Sequence, residues 1–123
     1  MAQESPCTSI ATDEGIKVKI GHFGDAKYYF HYIIDNTRRP VLIKIVENIY
    51  RDEDEHHHHH HGHGEKRRKI HSLNKDCQII VTTFLGPRGE EYMAQHGIRV
   101  VKVKPGTRIE EALKQVYGHD IRI

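Results

Sequence analysis

The stretch CQIIVTTFLGPRGEEYMAQHGIRVVKVKPGTRIEEALKQVYG, residues 77–118 of a 123-residue chain, decides the fold. It opens on Ile79-Ile80-Val81, an unbroken apolar run of the kind found in a strand covered on both faces. Gly86-Pro87 suits a helix start, with Pro87 at the first helical position, Glu90 and Glu91 in the first turn and Gly97 closing it. Ile98, Val100, Val101 and Val103 predict the next strand. Thr107-Arg108-Ile109-Glu110 reads as a capping box, and Ile109, Ala112, Leu113, Val116 and Tyr117 recur at helical spacing as far as Gly118. Strand, helix, strand, helix in this order implies a right-handed crossover between parallel strands.

The first half reads differently. Cys7 to Thr12 is rich in β-formers and ends at the turn signal Asp13-Glu14-Gly15. Ile16, Val18 and Ile20 alternate with Lys17 and Lys19, which predicts a half-buried strand. Gly21 to Lys27 is expected to form a loop and a short helical turn. Tyr28 to Ile34 is aromatic and β-branched, hence a strand. Asp35-Asn36-Thr37 turns the chain into an extended stretch from Pro40 to Tyr50, and so short a link predicts an antiparallel pair. Glu65 to Leu73 is a candidate helix whose apolar face is Ile70 and Leu73. The whole predicts an α/β domain, a mixed sheet sandwiched by helices, in one unit spanning 1–123 with a His-rich loop at 51–65.

Bulk composition removes several function classes. The hydrophobic fraction is 37% and the net charge only +2, with a mean hydropathy of −0.68, so no chain-wide basic field points to nucleic acid. No apolar run approaches the ~18 residues of a membrane span. Met1-Ala2-Gln3-Glu4-Ser5-Pro6 lacks the basic start and apolar centre of a signal peptide. Cys7 and Cys77 lie far apart with no C-x-x-C pair, which argues against a zinc knuckle and a disulfide-stapled secreted fold. A reduced, cytoplasmic setting is the expectation.

The most unusual segment is HHHHHHGHG, residues 56–64. His56, His57, His58, His59, His60, His61 and His63 are candidate metal ligands, and Gly62 and Gly64 would let the backbone fold around an ion. An ordinary imidazole, with a pKa of ~6.5, is mostly neutral at pH 7 and ready to coordinate. Two readings stay open: a polar insertion that binds metal incidentally, or a buffer for nickel, zinc or copper.

Elsewhere, His22-Phe23-Gly24 sits at a strand end, where ligands gather in open α/β sheets. Phe23 can plug into the core and leave His22 aimed outward, with Gly24 allowing close backbone approach; a lone loop histidine is otherwise an ordinary solvated side chain. Gly86-Pro87-Arg88-Gly89 offers free N–H groups and a cation to an anion. Against that, Glu90 and Glu91 would repel such a ligand, and turn or cap roles also explain the glycines. Cys77 reads as a small buried hydrophobe and Cys7 as the more accessible thiol. Lys66-Arg67-Arg68-Lys69 reads as a solvated charge run, balanced across the loop by Asp52 to Glu55. Nucleophile elbows and His-Glu-x-x-His are missing, and Asp13, Asp25 and Asp35 find no matching later carboxylates, so an enzyme is disfavoured.

Taken in order, Thr12-Asp13-x-Gly15, His22-Phe23-Gly24-Asp25-Ala26, Glu47-Asn48, Ile79-Ile80-Val81, Leu85-Gly86-Pro87-Arg88-Gly89, Gly97-Ile98-Arg99-Val100 and Gly106-Thr107-x-Ile109-Glu110-Glu111-Ala112-Leu113 resemble the dinitrogenase iron–molybdenum cofactor biosynthesis family, the NifX-like and NifB C-terminal type of domain. The resemblance runs from about Cys7 to Tyr117. It implies a three-layer α/β/α ribonuclease H-like fold with a mixed, five-stranded sheet. It also implies a non-enzymatic protein that binds or carries an iron–sulfur or iron–molybdenum cluster and meets a cluster donor or acceptor protein, as a monomer or weak homodimer. On this basis His22 is the first-choice ligand and Cys7 the second, with Gly24, Gly86 and Arg88 shaping the site. Asp25 stands where relatives commonly carry a basic residue, which weakens the hold on an anionic cluster. Gly89 replaces a small Ala-like residue, which predicts a looser helix start. The rival readings are a divalent-metal buffer acting through the His-rich loop and, less favoured, a nucleic-acid module using Lys66 to Lys69.

Overall fold

The computed structural model describes residues 5–52 and 62–123. Its elements run β1 (Thr8–Thr12), a 3-10 turn (Phe23–Asp25), β2 (Tyr28–Ile34), β3 (Pro40–Glu47), α1 (Gly62–Leu73), β4 (Ile79–Thr82), α2 (Pro87–Gln95), β5 (Arg99–Lys102) and α3 (Ile109–Tyr117). The five strands form one sheet in the order β3-β2-β1-β4-β5. β2 is antiparallel to both β1 and β3, while β4 runs parallel to both β1 and β5. The mixed sheet and both expected halves are therefore present.

Alternation along the central strands splits the core in two. Ile10 and Val81 point to one face and pack with Ile109, Ala112 and Leu113 of α3. Their neighbours Ala11 and Ile80 point to the other and pack with Ile70 of α1 and Met93 of α2. This is the period of two expected of a strand covered on both sides. Each fully buried large apolar side chain contributes roughly 1.5–3 kcal/mol. Helices thus cover both faces of the central sheet, α3 on one and α1 with α2 on the other.

Three local expectations are corrected. Residues 16–20 form no strand: Ile16 and Ile20 are exposed and only Val18 is buried. The segment is a strap whose single bridge joins Lys17 to Arg108, held by Val18 N–H on Thr107 O and Ile109 N–H on Ile16 O. It enters through Gly15, at φ +82°, where a Cβ would stand 2.9 Å from the Phe30 ring; only glycine fits there. The capping box at Thr107 does not form either, since α3 starts after Arg108 without a side-chain cap. Finally, α1 begins at Gly62, three residues before the expected start, so Gly62 and Gly64 lie in a helix instead of a turn around an ion. Gly118, at φ +106°, ends α3 as read.

α1 and α2 meet partly through rings. His71 stands edge-on to His96 at 4.6 Å, and its Nδ1 lies 3.3 Å from Tyr92 Oη. Burial first, and the nearby His96 second, hold His71 below the usual imidazole range. Protonation is then easier in the unfolded chain, so the stability linked to neutral His71 is present above about pH 6.5 and is lost as pH falls through the folded-state value. An NMR titration should place the His71 midpoint below that of an exposed histidine, and His96→Gln should move it upward. An unmoved midpoint in the variant would show that His96 has no part in it.

Candidate functional site

At the carboxyl ends of β1 and β4 the chain builds a second layer of contacts. His22 forms an isolated bridge with Phe84, and Phe23 N–H donates to Phe84 O at 3.2 Å. Phe23 is buried and packs on Tyr29, ring centroids 4.8 Å apart, while Tyr29 Oη donates to Phe23 O at 2.7 Å. With Phe23 as the plug, His22 is left exposed, its ring edge-on to Phe84 at 4.5 Å.

The loop is latched from the residue that follows β3. Asn48, only 2% exposed, donates from Nδ2 to Gly24 O and to Ala26 O, both at 2.9 Å. Its Oδ1 accepts Tyr50 N–H at 3.0 Å. One amide thus holds both sides of the 3-10 turn that presents His22.

His22, Gly24 and Asp25 line one wall of a cavity of about 470 Å³, opposite Gly86, Arg88 and Gly89. Lys66 and Arg67 of α1 complete the rim, and Ile70, Leu85 and Met93 supply apolar lining. The volume falls within the ~300–1,000 Å³ of ligand pockets. Two glycine-containing turns more than 60 residues apart in sequence (residues 22–24 and 86–89) are thereby brought to a single site. α2 starts from Gly86 without a side-chain cap, so the first-turn amides after Pro87 carry no such bond, and Gly86 to Gly89 line the cavity.

The electrostatics differ from expectation in two ways. Lys66 is buried instead of solvated, and its Nζ pairs with Asp25 Oδ1 at 2.7 Å while donating to Arg51 O at 3.3 Å. Asp25 is therefore neutralised by a cation from α1, so the missing basic residue in the turn is offset from another element. Glu90 pairs with Lys102 of β5, and neither it nor Glu91 lines the cavity. Three cationic side chains, Lys66, Arg67 and Arg88, face one carboxylate. The cavity lining is therefore cationic on balance.

Gly24 is not a steric necessity: a Cβ there would meet Ile70 and Lys66 at an ordinary 3.7 Å. Gly86 has open space beside it. Gly89 does not loosen its helix; Leu85 fills the space instead, within 2.6 Å of where a Cβ would stand. Asp13, Asp25 and Asp35 are separate, each with its own partners: Lys19, Lys66 and Thr37.

Cys7 is not part of this site. It lies before β1, buried, and forms a disulfide with Cys77, Cα atoms 4.4 Å apart. Their separation of 70 positions spoke against a staple; the parallel pairing that sets Thr8 opposite Ile79 brings them together. His56, His57, His58, His59, His60 and His61 fall outside the described residues, as does the side chain of His63. Asn48, Lys66, Arg67 and Met93 went unrecognised as site residues. Asn48 entered only within the Glu47-Asn48 pair of the family pattern, and Lys66 and Arg67 only as members of the basic run Lys66 to Lys69.

Fold and site together define a mixed-sheet α/β domain with a cationic pocket at its strand ends. A family model described as "Dinitrogenase iron-molybdenum cofactor" matches residues 5–119, and the chain belongs to that family. Among solved structures it is similar to one titled "Crystal structure of PH0822", with a TM-score of 0.62, 25% identity, and 95% of this chain and 93% of that chain covered. It also shares its fold with the apo form of the orange protein from Desulfovibrio gigas: TM-score 0.66, 14% identity, 99% of this chain and 95% of that one. No curated protein matches. Among the described residues, no helix is long and apolar enough to cross a membrane.

Proposed function

We propose that this protein is a non-enzymatic carrier of an anionic iron–sulfur or iron–molybdenum type cluster, held in the cavity between residues 22–25 and 86–89. Cofactor assembly is the work its family implies. The observation that carries the reading is the meeting of His22 with Arg88, Arg67 and the Lys66–Asp25 pair around one cavity of about 470 Å³. His22 supplies the metal-ligating nitrogen, Arg88 and Arg67 the counter-charge, and the first amides of α2 hydrogen bonds to cluster sulfides. Gly24 and Gly86 keep those walls low. The strand order and the single antiparallel β2 support a ribonuclease H-like assignment for the scaffold. Handover to a cluster acceptor suits an open rim, and cytoplasmic residence as a monomer or weak homodimer suits the role.

The test is anaerobic titration of a synthetic iron–sulfur or molybdenum–iron–sulfur cluster onto three full-length chains. These are wild type, His22→Ala and a variant with His56 to His61 replaced by serine. His22→Ala should lose at least ~tenfold in affinity, the scale on which even indirect supports of a metal ligand act. The serine variant should keep the specific site and lose only divalent-metal capacity. Equal cluster binding by wild type and His22→Ala removes His22; loss of cluster binding in the serine variant transfers the function to the His-rich loop.

A further inference from the structure

Cys7, Cys77 and His31 stand together at the other end of β1, on the sheet face that α1 and α2 cover. All three are buried, at 7%, 2% and 1% exposure. The two sulfurs and one His31 ring nitrogen lie within 4.8 Å of one another, the one such group of three among the described residues. β1 and β4 carry the cysteines into register, and His31 arrives from β2 opposite Ser9.

The imidazole is oriented from behind. His31 Nε2 lies 3.0 Å from Asn74 Oδ1, to which Ser9 Oγ also donates at 2.6 Å. Asn74 Nδ2 donates to Ile70 O at 2.9 Å, which settles which end of the amide is oxygen. Because Oδ1 only accepts, Nε2 carries the hydrogen and Nδ1 keeps the lone pair. An imidazole whose second nitrogen is fixed by an amide or carboxylate oxygen is the usual form of a metal-binding histidine.

We propose that Cys7, Cys77 and His31 form a site for a thiophilic d10 cation, Zn(II) or Cu(I), closed while the cysteines are joined and opened by a dithiol reductant. The reductant supplies two electrons and two protons. The Cys7–Cys77 bond breaks, two thiols form, and the reductant leaves as its own disulfide. Metal binding then releases both thiol protons and forms two metal–sulfur bonds and one metal–nitrogen bond. Two thiolates and a neutral imidazole cancel the charge of Zn(II), which keeps the buried site neutral. Two Zn–S bonds of ~2.3 Å at the tetrahedral angle set the sulfurs ~3.8 Å apart. Rotation about each χ1 supplies that separation across Cα atoms 4.4 Å apart. Soft thiolates select this class of metal over calcium or magnesium. Three protein donors suffice for Cu(I) and leave zinc one position for water or a partner's ligand. β1 separates this site from the cavity by about 17 Å along the strand, so the two fail independently.

The His-rich loop also takes up divalent ions, so the experiment must read sulfur. Full-length protein is reduced with dithiothreitol, desalted anaerobically and titrated with Co(II). One equivalent should bring thiolate-to-cobalt charge-transfer absorption, absent from the oxidised protein and from Cys7→Ala and Cys77→Ala. His31→Ala and Asn74→Ala should each weaken that binding roughly tenfold or more. In wild type, a requirement that no variant's folding can confuse is that Zn(II) or Cu(I) slow iodoacetamide alkylation of both cysteines at least ~tenfold. Protection by Zn(II) identifies zinc, and protection by Cu(I) alone identifies copper. A cobalt spectrum with imidazole bands only, or alkylation unchanged by either metal, overturns the proposal.

Discussion

Asn48→Ala is expected to destabilise the protein by about 3 kcal/mol and to release the turn that presents His22. The substitution leaves the carbonyls of Gly24 and Ala26 and the amide of Tyr50 without their partner, and Asn48 is almost fully buried. Each buried group stranded in this way costs ~1–3 kcal/mol, and some recover a water at the half-buried Gly24 side, so the lower part of the range applies. For a domain of this size that loss corresponds to a fall in Tm of roughly 10 °C. Asn48→Asp separates donation from packing. It keeps the shape and the acceptor for Tyr50 but sets a carboxylate against two carbonyl oxygens, so it should be no better than alanine. Differential scanning calorimetry reads the stability, and cluster titration reads the loop. An Asn48→Asp melting point equal to wild type would mean that the two carbonyls are not held by this side chain.

Lys66→Met is expected to lower affinity for an anionic cluster about 10- to 100-fold while costing little stability. The Lys66 side chain is 9% exposed, whereas Asp25 is 44% exposed and can turn to water when its partner is lost. With Lys66 replaced by an apolar side chain and the half-exposed Asp25 free to hydrate, the loss costs on the order of 1 kcal/mol. The binding effect is larger because the cavity then holds an unneutralised carboxylate. At about 6 Å and an effective dielectric of ~20, one unit charge acting on one unit of cargo charge amounts to ~3 kcal/mol. Reversal is the discriminating result: Asp25→Asn added to Lys66→Met should recover most of the lost affinity. If the double variant binds as weakly as Lys66→Met, the pair acts by shape and not by charge.

The sheet was largely readable before folding. Tyr28 to Ile34 and Ile79 to Val81 declare themselves as strands because side-chain period and β-branching are local properties. Pro87 and Gly118 mark helix ends for the same reason. The strap at residues 16–20 misled because Ile16 and Ile20 alternate with lysines like a strand, and nothing local reveals that no neighbouring strand will pair with it. Half of the candidate site was legible through His22, Gly24, Gly86 and Arg88, whose turns stand out as glycine-bearing breaks after β-rich runs. Lys66 was not, since a buried lysine and a solvated one look alike inside Lys66-Arg67-Arg68-Lys69.

Local composition and period therefore settled the α/β class, the parallel second half and the two turns that line the cavity. Folding alone settled that these turns face each other, that Asp25 takes its counter-charge from residue 66, and that Cys7 meets Cys77 and His31 instead of His22. The physical reason lies in range. Backbone dihedral preferences and apolar alternation act over a few residues, whereas an ion pair between residues 25 and 66, or a grouping of the Cys7–Cys77 disulfide with the His31 imidazole, exists only after strand order and helix placement have set distant segments side by side.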